Sequence, residues 1–151
     1  MKKYIKLLLL ITWMFIIFCF SAQDSNESKN TSNQVIIKTV EFIKQEQLSE
    51  PEKEKIIEKF ILPVRKSAHF FSYFILGILI TLLLKDYYNI TITTFIYALI
   101  FCFIYACTDE IHQLFVPGRA GQFLDVIIDT TGAIISISLY HILHKMIKKH
   151  I

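Results

Sequence analysis

Tyr87 to Thr108, YYNITITTFIYALIFCFIYACT, is a run of 22 residues without a charged side chain. A helix rises about 1.5 Å per residue, so roughly 20 apolar residues cross the ~30 Å of hydrocarbon in a bilayer. This stretch is long enough to do so. Two further charge-free tracts lie upstream, Leu7 to Gln23 (17 residues) and Ser67 to Leu84 (18 residues). A fourth apolar segment, about 122 to 143, is interrupted only by Asp125 and Asp129 near its beginning. The chain of 151 residues is 19% charged, against roughly 25% in ordinary soluble domains. Much of that charge is crowded into residues 22 to 67, eight acidic and eight basic side chains. The remainder is too poor in charge for a soluble enzyme of ordinary build, a disordered chain or a nucleic-acid-binding protein. The reading is an all-α, polytopic membrane protein of one domain, residues 1–151, with spans near 5–22, 67–85, 88–108 and 122–143.

Both chain ends are basic where they leave the membrane, with Lys2, Lys3 and Lys6 at one and Lys145, Lys148 and Lys149 at the other. An even number of spans places both on the cytoplasmic side of the cell membrane, as the positive-inside rule prefers. Arg65 and Lys66 then flank a span on the side that rule disfavours. The first segment also has the outline of a secretory signal, but Phe20 stands where cleavage after Ala22 wants a small residue. Phe18 before Cys19 is equally bulky for a lipid-modification signal, so the segment reads as a retained anchor. Cys19, Cys102 and Cys107 show no metal spacing and no disulfide framework; they read as small membrane-core residues.

The connection 23–66 is then extracytoplasmic. Its Ser- and Asn-rich opening, Asp24 to Gln34, reads as a flexible exit from the first span. Val35, Ile36, Val40 and Ile43, then Ile56, Ile57, Phe60 and Ile61, recur at helical spacing, with Pro51 suited to start a second helix. Two amphipathic helices lying on the outer leaflet or capping the bundle, or a solvated helical hairpin with no role beyond packing, satisfy this pattern.

Ionisable groups near hydrocarbon are costly, so their positions point to function. In this topology Lys66 and His69, then Asp109, Glu110, His112 and Gln113, then Asp125 and Asp129, all gather at the outer face. Residues three or four apart share a helix face, which aligns Lys66, His69 and Tyr73 on one stripe. Asp125 and Asp129 begin another that continues through Gly132, Ser136 and Tyr140. Small residues there allow close helix contact. Asp129 sits about 6 Å deeper than Asp125, with Lys66, His69 and Arg119 as candidate partners. Lys85 and Asp86, in the short inner loop, read as solvated. His141, His144 and His150 read as interfacial or tail residues.

Pro117 and Gly118 suit a type II turn. Gly121 leaves backbone N–H groups open just before a helix, beside Arg119, an arrangement able to receive a phosphate or carboxylate. The opposing reading is a self-satisfying network of Arg65, Lys66 and Arg119 with Asp109, Glu110, Asp125 and Asp129. The His and carboxylate mixture contains common metal ligands and a plausible general base. Within this outer cluster there is no HExxH, no His pair at helical spacing and no activated Ser or Cys. The sequence therefore names no metal and no cofactor.

The segments RKSAHFFSYFILG (65–77) and TDEIHQLFVPGRAGQFLDVIIDTTG (108–132) resemble the VanZ-like family of bacterial membrane proteins, three motifs in the same order. Trp13-Met14 and Phe20-Ser21-Ala22-Gln23 resemble features of that family's first helix. By this resemblance Lys66, His69 and Tyr73 belong to the first motif, and Asp109, Glu110, Gln113, Pro117, Gly118 and Arg119 to the second. Asp125, Asp129 and Gly132 belong to the third. Asp129 departs from the pattern, since Asn is frequent there, and Ser136 stands where a Gly is often found. The family's founding member is associated with resistance to the glycopeptide teicoplanin, which implies a Gram-positive cell-envelope setting. The family's biochemical activity is not established. The resulting expectation is a protein that touches membrane lipids and contributes to glycopeptide tolerance, its outward polar cluster binding an anionic head group or a lipid-linked wall precursor. One alternative is an intramembrane enzyme acting on such a molecule, with His69 or His112 as base oriented by Asp109, Glu110 or Asp129. Another is a structural or accessory subunit whose charges fasten the bundle.

Overall fold

Lipid offers a backbone no hydrogen-bond partner but itself, so charge-free tracts of this length become helices. In the computed structural model, which describes residues 2–149, the chain forms α1 (Lys3–Ser21), α2 (Ser25–Lys44), α3 (Glu50–Leu84), α4 (Ile92–Gln113) and α5 (Phe123–Lys149). α1, α3, α4 and α5 are long and apolar enough to cross a membrane. The protein is an all-α, multi-pass membrane protein. Successive spans alternate in direction, so α1 and α4 finish at the end where α2 lies, and the opposite end holds both termini and the loop before α4.

The bundle is small inside and large outside. Ala98, Cys102 and Ala106 of α4 and Ala133 of α5 have no exposed surface, while Phe15, Ile104 and Ile142 point outward. With lipid outside, association rests on close packing, which small residues permit. The closest approach joins α3 and α5. A Cβ at Gly132 would collide with the Phe70 carbonyl, and one at Gly77 with the Ser136 hydroxyl. α1 is tied in by Trp13 Nε1, which donates to the Ser72 carbonyl at 2.9 Å, and by Tyr105, whose hydroxyl donates to the Met14 carbonyl at 2.7 Å.

Several boundaries differ from the sequence reading. The polar stretch after α1 is no flexible exit but the first half of α2. Asp24 caps it, accepting from the amides of Asn26 and Glu27 at 2.7 and 2.8 Å, and Ile36 buries against the bundle. The second amphipathic helix and the second span are one helix, α3. It opens at the capping box of Ser49 and Glu52 with Pro51 in its first turn, and it runs on through Pro63. Glu- and Lys-rich residues on one side and a charge-free tract on the other both favour helix, and the proline removes a single ladder bond. α4 starts later than expected, at a capping box of Thr91 and Thr94, and extends to Gln113, which takes Asp109, Glu110 and His112 into the helix.

The opposite end is bound more tightly than expected. Asp86 is not merely solvated; it pairs with Lys6, whose side chain is buried on α1. Lys3 lies over the Tyr87 ring at 4.2 Å. His141 is an anchor between α4 and α5, with Nδ1 2.9 Å from the Ile137 carbonyl and Nε2 3.2 Å from the Thr91 carbonyl. His144 stacks on Tyr140, and His150 lies outside the described residues.

Candidate functional site

The α3–α5 contact at Gly132 sets the centre of the site, because it brings the stripe of Lys66, His69 and Tyr73 against that of Asp125 and Asp129. Lys66 pairs with Asp125. His69 Nδ1 stands 3.4 Å from Asp129 Oδ1, too long and poorly directed for a good hydrogen bond. Asp129 has no exposed surface, and neither of its carboxylate oxygens finds a partner among the described residues. Of the three candidate partners, His69 is the one brought beside it, while Lys66 pairs with Asp125 and Arg119 with main-chain carbonyls.

The last turn of α4 completes the cluster. Asp109 and Glu110 are both buried. Glu110 Oε2 accepts from the Gln122 amide at 2.7 Å, which holds the start of α5 in place, while Oε1 is unpartnered. Gly121 makes room for this, since a Cβ there would lie 2.7 Å from the Glu110 carbonyl oxygen. Donor atoms of His69, Asp109, Glu110 and Asp129 all lie within 4.8 Å of one another. Three carboxylates and one imidazole are thus gathered at one buried point from three helices, at a desolvation cost of several kcal/mol per uncompensated charge.

The loop between α4 and α5 folds as its residues predict. Pro117 and Gly118 form a turn with Gly118 at φ +69°, and the Arg119 amide donates to the Val116 carbonyl at 3.1 Å. Positive φ is the conformation a type II turn requires at that position. Arg119 spends its guanidinium as a tie. It donates to the carbonyls of Gln23 and Phe20 at 3.1 and 3.2 Å and to Gln113 Oε1 at 3.3 Å, satisfying carbonyls that α1 leaves open at its C-terminus. Half-burial brings this guanidinium below its ordinary range, with Arg65 nearby adding repulsion.

Beneath α2 lies a cavity of about 300 Å³. Its polar walls include His69, Tyr73, Asp109, Gln113, Arg65 and Arg119, and α2 closes it with Ser28, Thr31, Ser32 and Val35. Ile17, Phe20, Val64 and Ala68 give it an apolar flank. Tyr73 is 1% exposed and its hydroxyl is unpartnered, as is the Gln113 amide nitrogen. Arg65 makes no ion pair among the described residues.

Most residues expected at the site do converge. His69, Tyr73, Asp109, Gln113 and Arg119 line the cavity, Glu110 and Asp129 lie in the cluster with His69 and Asp109, and Lys66 with Asp125 forms a pair on the same helix stripes. His112 does not join them; it stacks on Phe18 at 4.6 Å. Pro117 and Gly118 dock on the start of α2, the Ser25 amide donating to the Pro117 carbonyl at 3.2 Å. Sequence reasoning missed Arg65 and Ser72 as wall residues. Their spacing from Ala68, His69 and Tyr73 on α3 was the available signal. It read the second half of α2 as an amphipathic helix from Val35, Ile36, Val40 and Ile43, but missed the first half, with Ser28, Thr31 and Ser32, as a wall, because that stretch carries no apolar stripe.

The first two motif regions thus wall the cavity, and the third joins them through Asp129, which lies in the buried cluster with His69 and Asp109. The VanZ/LLP1 family matches the chain over residues 6–144. This chain belongs to the VanZ/LLP1 family. The matched region takes in all four spans and the α2 cover, so in this VanZ-family protein the site is built by the family domain itself. No curated protein and no solved structure matches the chain.

Proposed function

We propose that this VanZ-family protein acts in the bacterial cell envelope by binding an anionic lipid head group, or the phosphate-bearing head of a lipid-linked wall precursor, in the cavity beneath α2. The observation that carries this reading is the composition of the cavity wall. Arg65, free of any carboxylate among the described residues, stands with Arg119 over an apolar flank of Ile17, Phe20 and Val64, a combination suited to an anionic head joined to an acyl or prenyl chain. The basic termini at the opposite end favour an outward-facing cavity by the positive-inside rule. Contribution to teicoplanin tolerance follows if occupancy alters how the antibiotic meets its wall target.

Two measurements test this. Native mass spectrometry of the full chain with phosphatidylglycerol or phosphatidylcholine is expected to show retention of the anionic lipid, lost in Arg65→Gln; equal retention of both lipids overturns the reading. Teicoplanin susceptibility of a strain lacking the chain is expected to be corrected by wild type and not by Arg65→Gln at equal membrane abundance. Arg65 is the better probe than Arg119, because Arg119 also holds α1.

A second reading is favoured by one feature. His69 faces Asp129 with Asp109 and Glu110 beside it, next to the cavity, which is the arrangement of a general base oriented by a carboxylate. On that reading the protein alters the bound lipid or precursor, and mass spectra of lipid and wall fractions differ with and without the gene. Identical spectra remove it.

A further inference from the structure

The cluster at the cavity floor is electrostatically incomplete. Asp109, Glu110 and Asp129 are buried together, and His69 supplies at most one compensating charge. Of the nearby cations, Lys66 is committed to Asp125 and Arg119 to main-chain carbonyls, and Arg65 forms no ion pair with the cluster among the described residues. Asp129, wholly buried, aims two unpartnered oxygens at the cluster, and Glu110 adds a third. The Tyr73 hydroxyl, on a residue outside the cluster that lines the cavity with His69 and Asp109, is buried and unpartnered as well.

We propose that His69, Asp109, Glu110 and Asp129 form a binding site for one divalent transition-metal ion, of the Zn²⁺ or Mn²⁺ class. The separation of His69 Nδ1 and Asp129 Oδ1, 3.4 Å, is poor for a hydrogen bond. It matches the edge of about 3.4 Å expected between two ligands bonded at about 2.0–2.1 Å to a tetrahedral ion. The four donor atoms lie within 4.8 Å of one another, close enough for side-chain rotations to bring them onto one ion. An imidazole among carboxylates selects Zn²⁺ or Mn²⁺ over Mg²⁺ and Ca²⁺, and the lack of a thiolate disfavours soft ions. The Gln122 amide on Glu110 Oε2 fixes that carboxylate from behind, as outer partners of metal ligands do. The ion would supply the positive charge that three buried carboxylates lack. This site stands apart from the head-group reading, which rests on Arg65 and the apolar flank.

The test uses the full chain, purified in detergent with a histidine-free tag and stripped with EDTA, then dialysed against Zn²⁺ or Mn²⁺ and analysed for bound metal. One ion per chain is expected. Asp129→Asn and Glu110→Gln should each weaken binding by roughly 100-fold with unchanged helical circular dichroism, while His144→Gln, in the α5 tail, leaves it intact. Should Asp129→Asn fail to accumulate, Glu110→Gln and the visible absorption of bound Co²⁺, altered in His69→Gln, carry the same test. Absence of saturable binding, or equal affinity in wild type and Glu110→Gln, overturns the proposal and assigns the missing charge to protons.

Discussion

At the end of the bundle that holds both termini, Lys6 meets Asp86, and His141 lies 2.9 Å from one main-chain carbonyl and 3.2 Å from another. At the α2 end, Asp129 has neither carboxylate oxygen bonded and Glu110 only one. The same kinds of side chain are used to opposite effect. Polar groups that fasten helices are paired, because a buried unpaired group costs about 1–3 kcal/mol and more when charged. Groups left unpaired in an otherwise satisfied bundle lower its stability and persist where they bind something. The contrast separates the fastening end from the binding end, and it can be attacked at several strengths.

The largest effect falls on the contact that creates the binding end. Gly132→Leu places a branched side chain against the Phe70 backbone, where even a Cβ does not fit. Backbone cannot yield as a flexible side chain does, so the expected loss is at least about 3 kcal/mol. Membrane abundance and melting temperature should both collapse. Normal abundance in this variant would mean that α3 and α5 need not lie so close, and the convergence of His69 on Asp129 would lose its cause.

Next comes the fastening end. Asp86→Ala leaves Lys6, buried on α1, without its partner, and a cost of about 2–3 kcal/mol is expected in the melt. Lys6→Leu combined with Asp86→Asn should recover most of it, since it removes the stranded charge as well as the pair. A single variant as stable as wild type would show that Lys6 reaches water or head groups and that this end is less dry than its geometry implies.

Much of this was legible in the chain, and the missing parts share a physical character. Four spans could be read because a long apolar run, charge-free in three of them and broken only by Asp125 and Asp129 in the fourth, declares itself without reference to anything distant. The face of α5 was readable from the spacing of Asp125, Asp129 and Gly132, and the turn at Pro117 and Gly118 from the φ each residue favours. The Lys6–Asp86 pair was not, since its members are 80 residues apart and each looks solvated in its own neighbourhood. Nor was the first half of α2, which is held by the Asp24 cap rather than by an apolar stripe, although its second half was readable from Val35, Ile36, Val40 and Ile43. His112 could not be told from its neighbours by spacing alone, because the direction that faces Phe18 on α1 is set by how α1 and α4 pack. Which acids are paired and which are not is likewise a tertiary fact.

Asp129→Asn inverts the sign of the second experiment. It keeps the shape and removes a buried charge that has no hydrogen-bond partner in the protein, so the metal-stripped chain should be as stable as wild type or gain about 1 kcal/mol. Loss of a carboxylate at one end and gain at the other, measured by the same thermal melt, is the sharpest form of the comparison. A loss of 2 kcal/mol or more, on the order of that for a broken buried pair, would place Asp129 among the fasteners.

The smallest effect concerns the cover that only the binding end possesses. Asp24 accepts from two amides at the start of α2, and an N-cap of this kind is worth about 1 kcal/mol to its helix. α2 is not a spanning helix, so that loss falls on the local opening of α2 and changes the melt of the four spans by less than about 0.5 kcal/mol. Asp24→Ala should therefore raise hydrogen exchange of α2 amides roughly fivefold, the factor that about 1 kcal/mol implies, while α4 and α5 exchange as before. Because Ser28, Thr31 and Val35 close the cavity, looser α2 should also speed lipid exchange into it. Faster exchange throughout the bundle would instead make α2 a structural member, and the cavity beneath it a packing gap rather than a covered site.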